Sequence, residues 1–481
     1  MRRAAAIAAM LLAGCTVGPN YQRPDVSVPP QFAEGSEAGT TDAELAGWWN
    51  AFGDPQLSAL VDRAVARNLD VESAAARISE TRARERVAGA AAQPQVEAQA
   101  SVTRQRISEN AIPVPPGGGG QQDGAFGLPG SEFNTWRPGF DASWEIDLFG
   151  KTRRGVEAAK ARTGAATWTR RGVQVSVAAE VATTYFELRT LQARMGNAAA
   201  ELDRQKRFEQ LVAARVRGGL VSGQDLEQQA SEVSAAAAAL AALKARADVQ
   251  IHALGVLTGD TPESLIAELS VPKVLPAAPA IPAGLPSDLL RRRPDIRSAE
   301  RELAASTADI GVAVADLYPR FSLTAAPALV STALGSLLEW GSRSFSIGAA
   351  VSWPLFNGGR TRGNIAVANA RQEQALIAYR KTVLRALQDV EDSLSRTDAD
   401  RRQLAAFEDA LGRAGRAEAI ARTRYRGGLV TYSDVLVAQA RRLSLEGQVI
   451  DSKGSLARDS AGLFKAMGGG WPELTLAGDA Q

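Results

Sequence analysis

The chain has 481 residues, enough for a large buried core, and 45% of them are hydrophobic. Its net charge is +2, and without Arg2 and Arg3 the basic residues fall from 55 to 53, equal to the 53 acidic ones. This balance gives no electrostatic basis for nucleic-acid binding. The single Cys excludes an intrachain disulfide.

Residues 1–14 predict a signal peptide, because two arginines precede an apolar stretch that is too short to span a bilayer. The stretch ends in "LAGC", which resembles a bacterial lipobox and makes Cys15 the expected lipidation site. The alternative is a chance Cys after an ordinary signal peptide. Thr16 is not the Asp of an inner-membrane retention signal, so we expect residues 15–47 to be an extended segment anchored in outer-membrane lipid.

The chain is internally duplicated. "RGGLV" occurs at Arg217–Val221 and again 209 residues later at Arg426–Val430, and "NLDVESAAAR" at Asn68–Arg77 matches "RPDIRSAER" at Arg293–Arg301 with an offset of 225. One insertion within the loop-like stretch Ile107–Thr135 explains the change of offset. We therefore expect a first repeat at 48–269, a proline-rich linker at 270–286, a second repeat at 287–469 and a tail at 470–481.

Each repeat predicts the same order of helices around a pair of strands. The two longest, with apolar residues recurring at three and four, would each be roughly 100 Å long at 1.5 Å per residue. The expected helices are Pro55–Ala92, Lys151–Val216 and Asp225–Leu257 in the first repeat, and Ser287–Leu317, Arg360–Tyr425 and Asp434–Met467 in the second.

Four segments predict strands, at about 95–106, 137–148, 320–330 and 343–354, because apolar and polar residues alternate along them. A soluble sheet with one face on a core would show a similar pattern. The strongly polar second face, with Trp144 and Trp353 near matching strand ends, favours membrane-spanning strands. Four strands cannot close a barrel, and an open edge is not tolerated in lipid, so three chains with twelve strands are expected to share one.

No catalytic or cofactor-binding motif is complete, so we expect no enzyme activity, no cofactor and no metal. "FGKT" at Phe149–Thr152 lacks the earlier Gly of a phosphate-binding loop, since that position holds Glu145. The sole histidine, His252, has no second His or Cys cluster in the sequence, which argues against a zinc site or a His-based triad.

Several motifs together resemble the TolC-type outer-membrane factors, above all their NodT lipoprotein subfamily. The resemblance covers nearly the whole mature chain and rests on "CTVGPNYQRPDVSVPPQF", "WWNAFGDPQLSALV", "RRRPDIRSAE", "WPLFNGGR" and "RYRGGLVTYSDVLVAQ". It implies a homotrimer, mainly α with a membrane β part: a 12-stranded β-barrel continuous with a 12-helix periplasmic α-barrel. It also implies a periplasmic adaptor (membrane fusion) protein and an inner-membrane transporter of the resistance-nodulation-division class as partners.

The resemblance further implies that the RGGLV turns form the periplasmic tip, where adaptor hairpins dock and a gate closes. The gate carboxylates would be Asp225 and Asp434, with Tyr425 linked to the first; N-capping of the following helices is an alternative role that can coexist. Val430 and Val437 stand where the family has an Arg and a second ring Asp. The implied docking residues are Gly219, Leu220, Val221, Ser222, Gly428, Leu429, Val430 and Thr431.

The implied function is a passive exit duct for drugs or other small toxic compounds in a tripartite efflux pump. A duct for type I protein secretion or for metal-ion efflux is the alternative within the same class. No Met or His cluster in the sequence separates these cargoes.

Overall fold

The computed structural model describes residues 16–33, 41–108, 132–281 and 286–471. Each repeat contains one helix of 67 residues, followed by a tight turn and a return helix of 35 residues. The helices of the first half are α1 (Asp42–Ala46), α2 (Pro55–Arg67), α3 (Leu69–Ala90), α4 (Lys151–Arg217), α5 (Gly223–Leu257) and α6 (Ile266–Leu269); those of the second are α7 (Pro286–Arg292), α8 (Pro294–Ala315), α9 (Arg360–Arg426) and α10 (Tyr432–Ala466).

The duplication persists at the level of single residues. The start and end of α4 and α5 reappear in α9 and α10 with the same offset of 209. The helices α3 and α8 are both 22 residues long and differ by 225. In the part of the chain described here, no helix is both long enough and apolar enough to cross a bilayer.

The helix before each strand pair is broken, where the sequence predicted it to be continuous. Asn68 separates α2 from α3 in an extended conformation, and its side-chain oxygen accepts a hydrogen bond from the backbone N–H of Asp70 at 2.9 Å. Arg293 separates α7 from α8 and precedes Pro294, whose ring disfavours helical backbone in the residue before it. The two breaks are equivalent positions of the repeat, 225 residues apart. The N-terminal segment, expected to be extended, also contains the short helix α1. Thr41 and Glu44 form a capping box at the start of this helix.

The strands form one antiparallel sheet, and three of the four predicted strands differ from the expected bounds or continuity. The second strand begins earlier than expected, where Arg104 and Glu132 form a 2.9 Å ion pair, and stops before Asp147, whose carboxylate accepts the backbone N–H of Arg153 at 2.9 Å. The third is interrupted beside Pro327, which has no N–H for the ladder, and the fourth is interrupted opposite it. The strands are β1 (Gln95–Arg106), β2 (Glu132–Ile146), β3 (Arg320–Ala325), β4 (Ala328–Leu329), β5 (Arg343–Ser344) and β6 (Ile347–Ser352).

The register divides the sheet into an apolar face and a polar face. The strand β2 pairs with β1 on one side and with β3 and β4 on the other, and β6 pairs with β3. Directly paired residues lie on the same face of a sheet. One face therefore carries Val96, Ala98, Ala100, Val102, Trp136, Pro138, Phe140, Ala142, Trp144, Ile146, Phe321, Leu323, Ala325, Ile347, Ala349 and Val351.

The two tryptophans at the strand ends make equivalent hydrogen bonds. The indole N–H of Trp144 donates to the carbonyl oxygen of Ala92 at 2.9 Å, and that of Trp353 donates to Leu317 at 2.9 Å. The donors are 209 residues apart and the acceptors 225, as the repeat requires. In both repeats this bond fixes the strand to the end of the preceding helix.

The chain divides into two compact units. The first comprises Met1–Arg23, Glu80–Thr163 and Glu302–Leu376 and contains the sheet; the second comprises Pro24–Ser79, Gly164–Arg301 and Ile377–Gln481. Several aromatic side chains pack together in the core of the second unit. Trp48 stacks on Phe464 with ring centroids 5.1 Å apart, and Phe52 lies 4.7 Å from Phe186.

A buried arginine joins three segments of the second unit. The guanidinium of Arg189 is fully buried and donates to the side-chain oxygens of Gln56 and Gln192 and to the carbonyl oxygen of Val271 at 3.2 Å. It also lies 4.7 Å from the ring centroid of Tyr185. These hydrogen bonds from both terminal nitrogens of the guanidinium tie α2, α4 and the linker together.

Candidate functional site: two helix-to-helix turns

The first RGGLV turn is a Schellman motif that ends α4. The N–H of Gly219 donates to the carbonyl oxygen of Val216 at 3.0 Å, and the N–H of Leu220 donates to Arg215 at 2.9 Å. Gly219 has φ of +68°, a left-handed conformation that costs other residues roughly 1–2 kcal/mol. The Gly-Gly pair therefore terminates the helix and reverses the chain direction.

The second turn repeats this geometry at the end of α9. The N–H of Gly428 donates to Tyr425 at 3.0 Å, and that of Leu429 donates to Arg424 at 2.9 Å, with Gly428 at φ of +71°. The sequence of five residues encodes the same turn twice, because both its hydrogen bonds and its left-handed residue are local.

A capping box starts each return helix. The N–H of Ser222 donates to the carboxylate of Asp225 at 3.0 Å, and the N–H of Thr431 donates to Asp434 at 2.8 Å. The hydroxyls of Ser222 and Thr431 donate to the same carboxylate oxygens at 2.9 and 2.8 Å. The hydrogen bond from the hydroxyl of Thr431 is the larger cause, and the bond from its backbone N–H the smaller one, that hold the pKa of Asp434 below its usual value.

This geometry corrects the predicted start of both return helices. They begin at Gly223 and Tyr432, two residues earlier than expected, because Ser222 and Thr431 are the N-caps. Asp225 and Asp434 are the third residues of their helices. Their carboxylates reach back to the cap instead of initiating the helix themselves.

Apolar side chains project from both turns. Leu220 is 76% exposed and Leu429 is 77% exposed, whereas Val221 and Val430 are half-buried. Two exposed leucines at equivalent positions are available to contact another protein, since their backbone conformation is already set by the turn.

Tyr425 contacts an aromatic neighbour rather than a carboxylate. Its ring centroid lies 5.2 Å from that of Tyr432 across the second turn. Within the described residues of one chain, no hydrogen bond joins Tyr425 to Asp225. Val437 is 68% exposed on α10 near the turn. The roles of these residues in a gate stay a prediction.

Different polar contacts join α4 to α5 and α9 to α10, and neither contact was predicted from the sequence. The side-chain amide of Gln229 donates to the side-chain oxygen of Gln205 at 2.7 Å between α5 and α4. Between α10 and α9, the guanidinium of Arg442 donates to the buried carboxylate of Glu418 at 2.6 Å. Comparison of the two repeats could have indicated the difference, because the position equivalent to Gln229 in the second repeat is Ala438, which cannot make this hydrogen bond.

The remaining candidate residues have other environments. Cys15 lies outside the described residues. Lys151 forms a 2.7 Å ion pair with Asp316, and Phe149 stacks on Tyr318 at 4.6 Å, so "FGKT" links elements instead of forming an open phosphate loop. His252 is exposed on α5. Among the described residues, no three His, Cys, Asp or Glu side chains form a group that could hold a metal ion.

Comparison with known proteins assigns these features to a family. The model of the outer membrane efflux protein family matches residues 60–260 and 285–469, which are parts of both repeats. The solvent efflux pump outer membrane protein SrpC of Pseudomonas putida is 31% identical over 470 residues, covering 96% of this chain and 97% of its own. Nodulation protein T of Rhizobium leguminosarum bv. viciae is 29% identical, with 98% and 94% covered.

A solved structure shows the same fold. The outer-membrane channel OprN superposes with a TM-score of 0.83 and 32% sequence identity, over 95% of this chain and 100% of that one.

Proposed function

The chain belongs to the outer membrane efflux protein family, and from this we propose that it is the outer-membrane exit duct of a tripartite pump that expels small toxic compounds from the cell. The observation that carries the proposal is the family match to both repeats of a chain whose fold is that of an efflux channel. The duct would conduct passively, while an inner-membrane transporter of the resistance-nodulation-division class supplies the energy.

We propose that the working form is a homotrimer. The sheet of one chain has an apolar face for lipid and two outer edges, one along β1 and the other along β5 and β6, that have no partner strand among the described residues. Unpaired edges in lipid would each leave a row of backbone groups without hydrogen bonds. If β3 with β4 and β5 with β6 each count as one interrupted strand, a chain has four strands, and three copies would pair these edges in one closed twelve-stranded sheet.

The RGGLV turns would be the periplasmic tip. Their exposed leucines and preset backbone support docking of a periplasmic adaptor protein, with Gly219–Ser222 and Gly428–Thr431 as the contact residues. Asp225, Asp434 and Tyr425 would contribute to the gate beside them. Acylated Cys15 would attach the chain to outer-membrane lipid.

Deletion of the gene tests the duct. We expect the deletion strain to lose tolerance to organic solvents and drug-like compounds, and the wild-type gene on a plasmid to restore it. A chain carrying Gly219→Trp and Gly428→Trp should fail to restore tolerance. The matched control is Gly53→Trp, at a glycine with a similar φ of +65° outside the turns, and it should restore tolerance. Unchanged tolerance in the deletion strain, or a secretion or metal-ion phenotype in its place, would contradict the proposed cargo.

Chemical cross-linking in isolated membranes tests the assembly. We expect a covalent trimer from the wild-type chain and from the tip variant, because the turns are separate from the sheet in sequence. Recovery of monomers alone would contradict the shared sheet.

A further inference from the structure

The segment that follows residue 15 is held by one buried arginine at the start of α4. The guanidinium of Arg154, only 3% exposed, donates to the carbonyl oxygens of Val17 at 3.1 Å and Gly18 at 3.3 Å, and to the side-chain oxygen of Asn20 at 2.7 Å. Its other terminal nitrogen forms a 2.8 Å ion pair with Glu157. A buried guanidinium with this many acceptors fixes the segment that supplies them.

The backbone of the same segment approaches its neighbours closely. Gly18 has φ of +88°, and a Cβ there would lie 2.5 Å from the Cα of Gly311. A Cβ on Gly311 would lie 2.7 Å from the side chain of Arg154, and one on Gly150 would lie 2.8 Å from Thr16. Contacts this short are possible only without a side chain, so the surface is shaped to receive residues 16–20.

The internal repeat provides a control within the chain. The position equivalent to Arg154 in the second repeat is Gly363, at an offset of 209, and the position equivalent to Gly311 in the first repeat is Arg86, at an offset of 225. The fold itself therefore requires neither residue. Arg154 and Gly311, which differ from their equivalents in the other repeat, both contact the N-terminal segment, and that segment is not part of either repeat.

We propose that Arg154 is a positioning residue for the lipid-bearing N-terminus, an inference that rests on the proposed acylation of Cys15. The N–H of Val17 donates to the carbonyl oxygen of Phe149 at 3.2 Å, so the segment is fixed beside the end of β2. Because Thr16 is bonded to Cys15, and one residue spans at most about 3.6 Å, the lipid is confined to the neighbourhood of the strands.

The consequence is a coupling between the lipid and the sheet. A lipid held beside the strands raises the effective concentration of the sheet at the bilayer surface. A loosely tethered lipid raises that concentration much less. The lipid should therefore accelerate membrane integration of the sheet only while Arg154 holds the segment.

The test compares Arg154→Met in two forms of the full chain. One form has its own residues 1–15, and the other has a cleavable signal peptide without a lipobox, so that the mature chain starts at Thr16. Radiolabelled palmitate reports acylation, and resistance to urea extraction after a pulse label reports the rate of integration. The matched control is Arg362→Met, an exposed arginine beside Gly363 in the second repeat.

We expect Arg154→Met to slow integration at least fivefold in the acylated form and to leave the unacylated form unchanged, with no effect of the control in either. Equal slowing in both forms would show that Arg154 has only a structural role and would overturn the proposal. Normal integration of the acylated variant would overturn it as well.

A second variant keeps Arg154 and changes only the tether. Six residues of Ser and Gly inserted between Cys15 and Thr16 add up to about 20 Å of reach. We expect the same slowing as for Arg154→Met, and a rate equal to wild type would overturn the proposal even if Arg154→Met does not fold. Absence of palmitate from the wild-type chain would overturn the lipid anchor and this inference together, whereas labelled palmitate without coupling would overturn this inference alone.

Discussion

The exposed leucines of the turns should carry much of the affinity for the adaptor. A double variant, Leu220→Glu with Leu429→Glu, tests this at side chains that are 76% and 77% exposed in the chain. Neither residue has positive φ, so the substitution leaves the turn geometry unstrained. Any loss of export then reports on the surface of the turn rather than on its folding.

The expected magnitude follows from the exposed fractions. Full burial of a leucine side chain contributes about 1.5–3 kcal/mol, so covering the exposed three quarters contributes roughly 1–2 kcal/mol at each site. Together the two sites of one chain contribute about 2–4 kcal/mol, which corresponds to roughly a 30- to 700-fold change in affinity. Desolvating a glutamate in an apolar contact would add to this loss.

The assay is tolerance of the deletion strain carrying each variant, with the amount of membrane-integrated protein measured in parallel. The matched control is Leu69→Glu, because Leu69 is 68% exposed and starts α3, where an acidic residue suits the helix dipole. We expect the double variant to integrate normally and to restore no tolerance, and the control to restore it fully. Wild-type tolerance with the double variant would show that no partner buries these leucines.

Two further predictions concern stability. Gly454→Ala should lower the free energy of unfolding by about 1–3 kcal/mol, because a Cβ there would lie 2.2 Å from the hydroxyl of Thr190. The control is Gly462→Ala on the same helix, where a Cβ meets nothing within 4 Å. In the same melting experiment the control should be neutral or stabilising. The folded-state pKa of Asp434 is lowered by Thr431, so its capping contribution is present above the ordinary value of 3.8 and is lost as the pH falls from there through the lowered pKa. Amide exchange at the start of α10 should accelerate in that acidic range, and Asp434→Asn should abolish this dependence; pH-independent exchange in the wild-type chain would contradict the role of the carboxylate.

Features that depend on short windows of residues could be predicted from the sequence. The long helices were expected at Lys151–Val216 and Arg360–Tyr425 and lie at Lys151–Arg217 and Arg360–Arg426, because their periodicity persists over many turns without proline. The Gly-Gly turns were equally readable, since glycine permits positive φ. The capping boxes were not, because Asp225 and Asp434 were expected to begin the return helices and Ser222 and Thr431 are the N-caps. The family and its fold followed from the duplication and the combined motifs.

Contacts between residues far apart in the sequence became visible only in the folded chain. The break at Asn68 depends on its side chain, which caps α3 and donates to the carbonyl oxygen of Leu257 at 3.0 Å, 189 positions away. The acceptors of Arg154 at Val17, Gly18 and Asn20 lie more than a hundred residues earlier in the chain. Arg442, which donates to Glu418, lies on a separate helix. A short window specifies backbone conformation through propensity and periodicity, but the choice of a long-range partner depends on packing that brings together residues no window contains.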